Sequence, residues 1–259
     1  MDRLQRLKKI NNYGLYYARD YLNELSEFDL VIVEPLAHNS KSIEFLNKKN
    51  TLVIGYVSIL EIDASSETLS LLKEEDYLTI NSARQMNTAY NNYIMDLRSE
   101  RWKLLLVNKI GNLITNEHYD GIFLDTIADI EHFDFESDLR KVLIAEYVKL
   151  LRELRKYFPK HIFIQNNGAG QIINSSAKLI NGLMLENQDI SQKNTELNLK
   201  FAALKEESGI EIFILSEEGK KGKGNNFNRL VETSKENDFL LYVAPHNYVG
   251  KVNSPINTR

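Results

Sequence analysis

The chain has 259 residues, 43% of them hydrophobic and 26% charged, with a net charge of −4 and no cysteine. Such a length and composition suit one soluble domain with a substantial core. The weakly acidic balance offers no basic face for nucleic acid, no apolar run is as long as a membrane span, and without cysteine there are no disulfides, thiolate zinc sites or cysteine nucleophiles.

The opening stretch MDRLQRLKKINNYG has the positive charge of a signal peptide's first part but not the apolar run that must follow. The chain is therefore expected to be cytosolic, or else a mature form whose export signal was removed. Short β-type apolar runs then recur at Gly14–Ala18 and Phe28–Val33, followed by a helix with Ser40 as its N-cap. A third run, Leu52–Ser58, leads into a long segment from Leu60 to Tyr119, with room for extra helices over a barrel mouth. Within it, Ser99–Thr115 sets Trp102, Leu105, Leu106, Ile110 and Leu113 on one helical stripe. The stripe places Trp102, the only tryptophan, in the core.

The fourth run is Gly121–Asp125. A helix over Leu139–Lys156 follows, with Val142, Leu143, Tyr147, Leu150, Leu151 and Leu154 as its apolar face. His161–Gln165, Gly182–Glu186, Glu211–Leu215 and Phe239–Ala244 complete the set of eight, with a last helix from Asn228 to Lys235. Most of the runs are continuously apolar, as parallel strands buried on both faces are. Strand and helix alternating eight times in this length predict an α/β fold, a single (β/α)8 TIM barrel over residues 1–259.

In such barrels chemistry sits at the carboxyl ends of the strands. Those ends carry Tyr17 and Arg19, Glu34, Ser58 with Glu61, Asp125, Gln165 to Asn167, Glu186 with Asn187, Ser216 with Glu217, and Pro245 with His246. Polarity alone is unremarkable at a strand end, which meets solvent. Asp125 after GIFL and Glu186 after GLML are different, because each falls where an apolar strand still lies in the barrel wall and a carboxylate is costly to bury. Two such acids facing one pocket suit glycoside hydrolysis, in which one attacks or supports the anomeric carbon and the other protonates the leaving oxygen. A divalent cation is the competing use of the same oxygens. It ranks lower, since no EF-hand loop or HExxH helix accompanies them, and the five histidines show no metal-ligand spacing. No metal and no cofactor is expected.

The ordered blocks YYARDYLNELSEFDLVIVEP (Tyr16–Pro35), GYVSILE (Gly55–Glu61), YDGIFLDT (Tyr119–Thr126), QNNG (Gln165–Gly168) and NGLMLEN (Asn181–Asn187) resemble glycoside hydrolase family 114, the endo-α-1,4-polygalactosaminidases. That family is similar to the hydrolase domain of the Pel exopolysaccharide biosynthesis protein. The resemblance is clear over strands one to six and loose over seven and eight. It implies internal cleavage of α-1,4-linked, galactosamine-rich polysaccharide, with Asp125 and Glu186 at the family's catalytic positions. By analogy with retaining α-glycosidases on this barrel, Asp125 is the nucleophile and Glu186 the acid/base.

Two positions depart from the pattern. The family's Gly-Glu after YVS reads Ile59-Leu60-Glu61 here, which shifts Glu61, and the Asp that follows the family's DT pair has its counterpart in Asp129, offset by one residue. With tryptophan scarce, sugar stacking falls to Tyr17, Tyr56 or Tyr248. The remaining substrate-binding candidates are Glu34, Glu61, Asp129, Asn166, Asn187, Glu217 and His246. A mouth holding Glu34, Glu61, Asp125, Asp129, Glu186, Asp189 and Glu217 against Arg19 attracts cations and repels uronates. The expected partner is therefore a cationic amino-sugar polymer, with no nucleic acid and no membrane span. The Gly- and Lys-rich segment Glu218–Asn226 lacks P-loop order and reads as a loop over the cleft. Two alternatives stay open: a non-catalytic carbohydrate-binding barrel, and a glycosidase for another α-linked glycan.

Overall fold

All eight predicted runs form strands of one parallel sheet in the computed structural model, which describes residues 2–188, 190–191, 195–218 and 225–259. The strands are β1 (Gly14–Tyr16), β2 (Leu30–Val33), β3 (Leu52–Ser58), β4 (Gly121–Asp125), β5 (Ile162–Asn166), β6 (Gly182–Glu186), β7 (Glu211–Glu217) and β8 (Leu240–Ala244). Each pairs with the next in chain order. The seam between β8 and β1 is nearly closed. Across it the rings of Tyr13 and Phe28 pack on Tyr242, and the Tyr17 amide donates to the Tyr248 carbonyl at 2.9 Å. With helices between the strands, this is a (β/α)8 barrel.

The helices are α1 (Arg3–Leu7), α2 (Leu22–Leu25), α3 (Ser40–Lys48), α4 (Glu100–Thr115), α5 (Asp129–His132), α6 (Ser137–Tyr157), α7 (Gln171–Ser176), α8 (Glu196–Ser208) and α9 (Asn225–Glu236). α4 buries Trp102, Leu106, Ile110 and Leu113, and α6 buries Leu143, Tyr147, Leu150, Leu151 and Leu154, so the 3.6-residue period located both core faces. Trp102 also donates its indole N–H to the Ile59 carbonyl at 3.0 Å, which pins the chain where it leaves β3.

Five expectations need correcting. Val142 is exposed rather than part of the α6 face. The cap of α3 is Asn39, whose Oδ1 accepts from the amides of Lys41 and Ser42, and Ser40 is already helical. The last helix starts at Asn225, a turn before Asn228. β1 stops at Tyr16 because the next amide turns to Tyr248. The segment between β3 and α4 holds two short 3₁₀ helices, Glu67–Leu71 and Glu74–Asp76, and is otherwise β-structure rather than the helical cover expected. An antiparallel sheet of Glu61–Asp63, Asn92–Ile94 and Met86–Asn87 forms there, with a second hairpin at Thr79–Ile80 and Ala83–Arg84. Asn81, Ser82 and Asn91 adopt left-handed backbone at its turns, a region that asparagine enters more readily than most residues other than glycine.

One glycine is fixed by packing. A Cβ on Gly121, the first residue of β4, would lie 2.1 Å from the Ile162 carbonyl oxygen. The clash is with backbone that pairs in the sheet, so no side-chain rotation relieves it. Gly121→Ala is expected to destabilise the fold by roughly 3 kcal/mol or more, read as a lower denaturation midpoint. A midpoint equal to wild type would mean that β4 and β5 can separate without cost.

Candidate active site

Three strand ends use the same device. The last residue of β4, β5 and β6 is Asp125, Asn166 and Glu186, and the residue after each, Thr126, Asn167 and Asn187, has positive φ near 65°, 53° and 54°. The left-handed residue turns the chain out of the sheet, and its side chain secures another strand's exit. Asn167 Oδ1 accepts from the Glu186 amide at 3.0 Å, and Asn187 Oδ1 from the Glu217 amide at 3.0 Å. Thr126 Oγ1 accepts from the amides of Leu60 at 2.9 Å and Ile59 at 3.2 Å, beyond β3. Asparagine enters this region readily, but a β-branched threonine there is an outlier held by its surroundings.

The device brings Asp125 and Glu186 onto one cleft of about 460 Å³. Asn166 stands between them, and its Nδ2 donates to Asp125 Oδ1 at 2.7 Å and to Glu186 Oε2 at 3.1 Å. The opposite amide orientation would set an oxygen against two carboxylates, so their charges dictate this one. Each acid also accepts from a tyrosine: Tyr56 donates to Asp125 and Tyr248 to Glu186 Oε1. Burial and the adjoining carboxylates hold both phenols far above their ordinary value, so they remain donors. Tyr17 packs edge to face against both rings, with centroids 5.4 Å away. The three tyrosines expected to stack on sugar thus brace one another and steer the acids.

Glu61 lies in the same cleft, 4% exposed. Its Oε1 accepts from Asn87 Nδ2 and its Oε2 from Asn92 Nδ2, both at 2.8 Å, and Asp129 hydrogen-bonds to it as well. Burial, that shared hydrogen bond and the charges of Glu61 and Asp125 push the Asp129 carboxyl from its ordinary 3.8 up to about 8. The fold therefore favours the protonated acid. Its contribution to stability is complete below the unfolded pKa and is lost as pH rises through the folded one. Wild type is expected to lose thermal stability between pH 5 and about 8 more steeply than Asp129→Asn, which cannot ionise. Parallel Tm–pH curves for the two proteins would refute the shared proton.

Glu217 also lines the cleft, but its Oε1 faces the chain after β8, 2.6 Å from His246 Nδ1 and 3.0 Å from the Asn247 amide. It fixes the turn His246–Tyr248 and so presents Tyr248 to Glu186. Of the sequence-predicted residues, Tyr17, Tyr56, Glu61, Asp125, Asp129, Asn166, Asn167, Glu186, Glu217 and Tyr248 line the cleft. Glu34, Asn187 and His246 do not. Glu34 caps the 3₁₀ turn Pro35–Ala37 by accepting from the Leu36 amide at 3.1 Å. Asn187 secures β7, and His246 backs Glu217. Arg19 is exposed and is not among the residues of the wall. Asp189 and residues 219–224 of the expected loop lie outside the described residues. The sequence reading missed Asn87, Asn92, Tyr90 and His132, all on the wall. The first three belong to the insertion after β3, for which the sequence suggested only room for extra helices. Among the described residues no group of three or more acids or histidines is arranged to hold a metal ion.

The profile of glycoside-hydrolase family GH114 matches residues 8–245, nearly the whole barrel. The chain belongs to this family. It is accordingly a glycoside hydrolase. No curated protein matches it at the sequence level, whereas solved structures do share its fold. The glycoside hydrolase domain of PelA from Pseudomonas aeruginosa superposes with a TM-score of 0.76 at 17% identity, over 95% of this chain and 98% of that one. Aspergillus fumigatus Ega3, in complex with galactosamine, gives 0.69 at 13% identity, over 94% and 93%. The α-galactosidase TtGalA from Thermus thermophilus gives 0.63 at 10% identity, over 93% of this chain and 59% of that one. At such identities the likeness is one of fold.

Proposed function

We propose that this GH114 barrel is an endo-acting hydrolase of α-1,4-linked, galactosamine-rich polysaccharide, working with retention through Asp125 as nucleophile and Glu186 as acid/base. The observation that carries the reading is the Asn166 amide shared by the two acids. One nitrogen at 2.7 and 3.1 Å limits the gap between the bonded oxygens to about 6 Å. Retaining enzymes hold their carboxyl groups about 5–5.5 Å apart, whereas inverting ones leave about 6.5–9.5 Å for a water. The division of roles follows the pattern of retaining α-glycosidases on this fold.

The cleft's charge supports the substrate. Its described lining carries Glu61, Asp125, Asp129, Glu186 and Glu217 and no lysine or arginine. With Asp129 protonated at neutral pH, the wall is still strongly acidic. Such a surface draws a polymer bearing free amines and repels uronate chains. The test is incubation of purified protein with partly deacetylated galactosaminoglycan, following oligosaccharide release and the anomer formed first by NMR. Internal cleavage giving the α-anomer is expected. No release from this polymer would reject the substrate, and an initial β-anomer would reject retention.

A further inference from the structure

The cleft's one largely exposed Tyr, Phe or Trp ring among the described residues is Tyr90, 73% exposed. It sits in the turn between the inserted strands Met86–Asn87 and Asn92–Ile94, with its amide donating to the Asn87 carbonyl at 3.3 Å. Asn87 and Asn92 face each other at the base of that turn. Both give their side-chain amides to Glu61, which is buried at the cleft wall beside Asp129. A charge-assisted double anchor thus ties the turn to the cleft interior. The ring at its tip is held at the rim although it buries little of its own surface.

That arrangement has no stabilising use within the chain, since an aromatic ring contributes to folding by being covered. The inner tyrosines do the opposite. Tyr17 is packed against Tyr56 and Tyr248, whose hydroxyls are spent on the acids. The flat apolar face of a pyranose ring is the surface that a rim tyrosine matches. It would belong to a sugar unit away from the bond being cut, because Asp125 and Glu186 hold the reacting unit deeper in the cleft.

We infer that Tyr90, carried on the hairpin anchored by Glu61, forms a distal subsite that stacks on a pyranose unit remote from the scissile bond and so favours long chains over short ones. The inference rests on the galactosaminoglycan reading above. It is tested by calorimetry in a Glu186→Gln background, which prevents turnover, with a galactosamine disaccharide and a long oligomer as ligands. Tyr90→Ala is expected to weaken binding of the long oligomer roughly fivefold to tenfold and to change disaccharide binding less than twofold. Tyr90→Phe and Tyr90→Trp, which keep the flat ring, are expected to retain the preference. Equal loss at both lengths, no loss, or a Phe variant as weak as Ala would overturn the subsite and leave the hydrolase reading standing. Failure of the Glu186→Gln parent to bind either ligand would overturn the substrate reading, and the subsite with it.

Discussion

Asp125→Ala and Glu186→Ala are each expected to lower turnover of polymer on the order of 10⁴-fold while leaving the barrel folded. Each acid stands at the end of its strand, half-buried and facing the cleft, so truncation removes a reacting group and no core packing. The two losses should differ when azide is added with an activated α-galactosaminyl substrate. With Asp125 gone, azide enters on the face the carboxylate occupied, and the product is the β-azide. With Glu186 gone, the covalent intermediate still forms from a substrate that needs no protonated leaving group, azide replaces water, and the product is the α-azide. The reverse pairing would exchange the two roles. Residual polymer turnover within tenfold of wild type in either variant would remove that residue from the chemistry.

Much of this was legible from the residues alone. Parallel barrel strands are buried on both faces, so each appears as an uninterrupted apolar run, and an acid closing such a run stands out. Asp125 and Glu186 were visible for that reason. The less visible features depend on pairing between segments far apart in the chain. Nothing near Asn166 signals that its amide reaches two acids, 41 and 20 residues away in sequence. Asn187 follows its acid directly and so resembled a ligand, yet left-handed backbone turns it to the next strand. His246 and Glu217 each read as substrate contacts, and nothing near either signals that they also contact one another, with Glu217 on the cleft wall. The insertion after β3 was misjudged because its strands are only two or three residues long, too short to establish a period of two. Its asparagines and Tyr90 therefore had no place in the site until the fold supplied one.

Asn166→Ala is expected to be damaging, though well short of the loss of an acid, because it releases both carboxylates at once. Its Nδ2 supplies both of the hydrogen bonds that fix one carboxylate against the other. Their loss leaves two acids with a gap of about 6 Å or less and no donor between them. The reacting groups are then no longer fixed against one another, and misalignment of that kind is costly to a reaction that needs both at once. Turnover at the optimum is therefore expected to fall on the order of 10²-fold as the acids lose alignment. Asn166→Asp is expected to lower turnover further, because it replaces the donor with a third carboxyl group set against the first two. Tyr56 and Tyr248 still hold the outer sides of the pair in both variants, which separates this effect from collapse of the site. Turnover of Asn166→Ala equal to wild type would show that the bridge does not set the alignment of the two carboxylates.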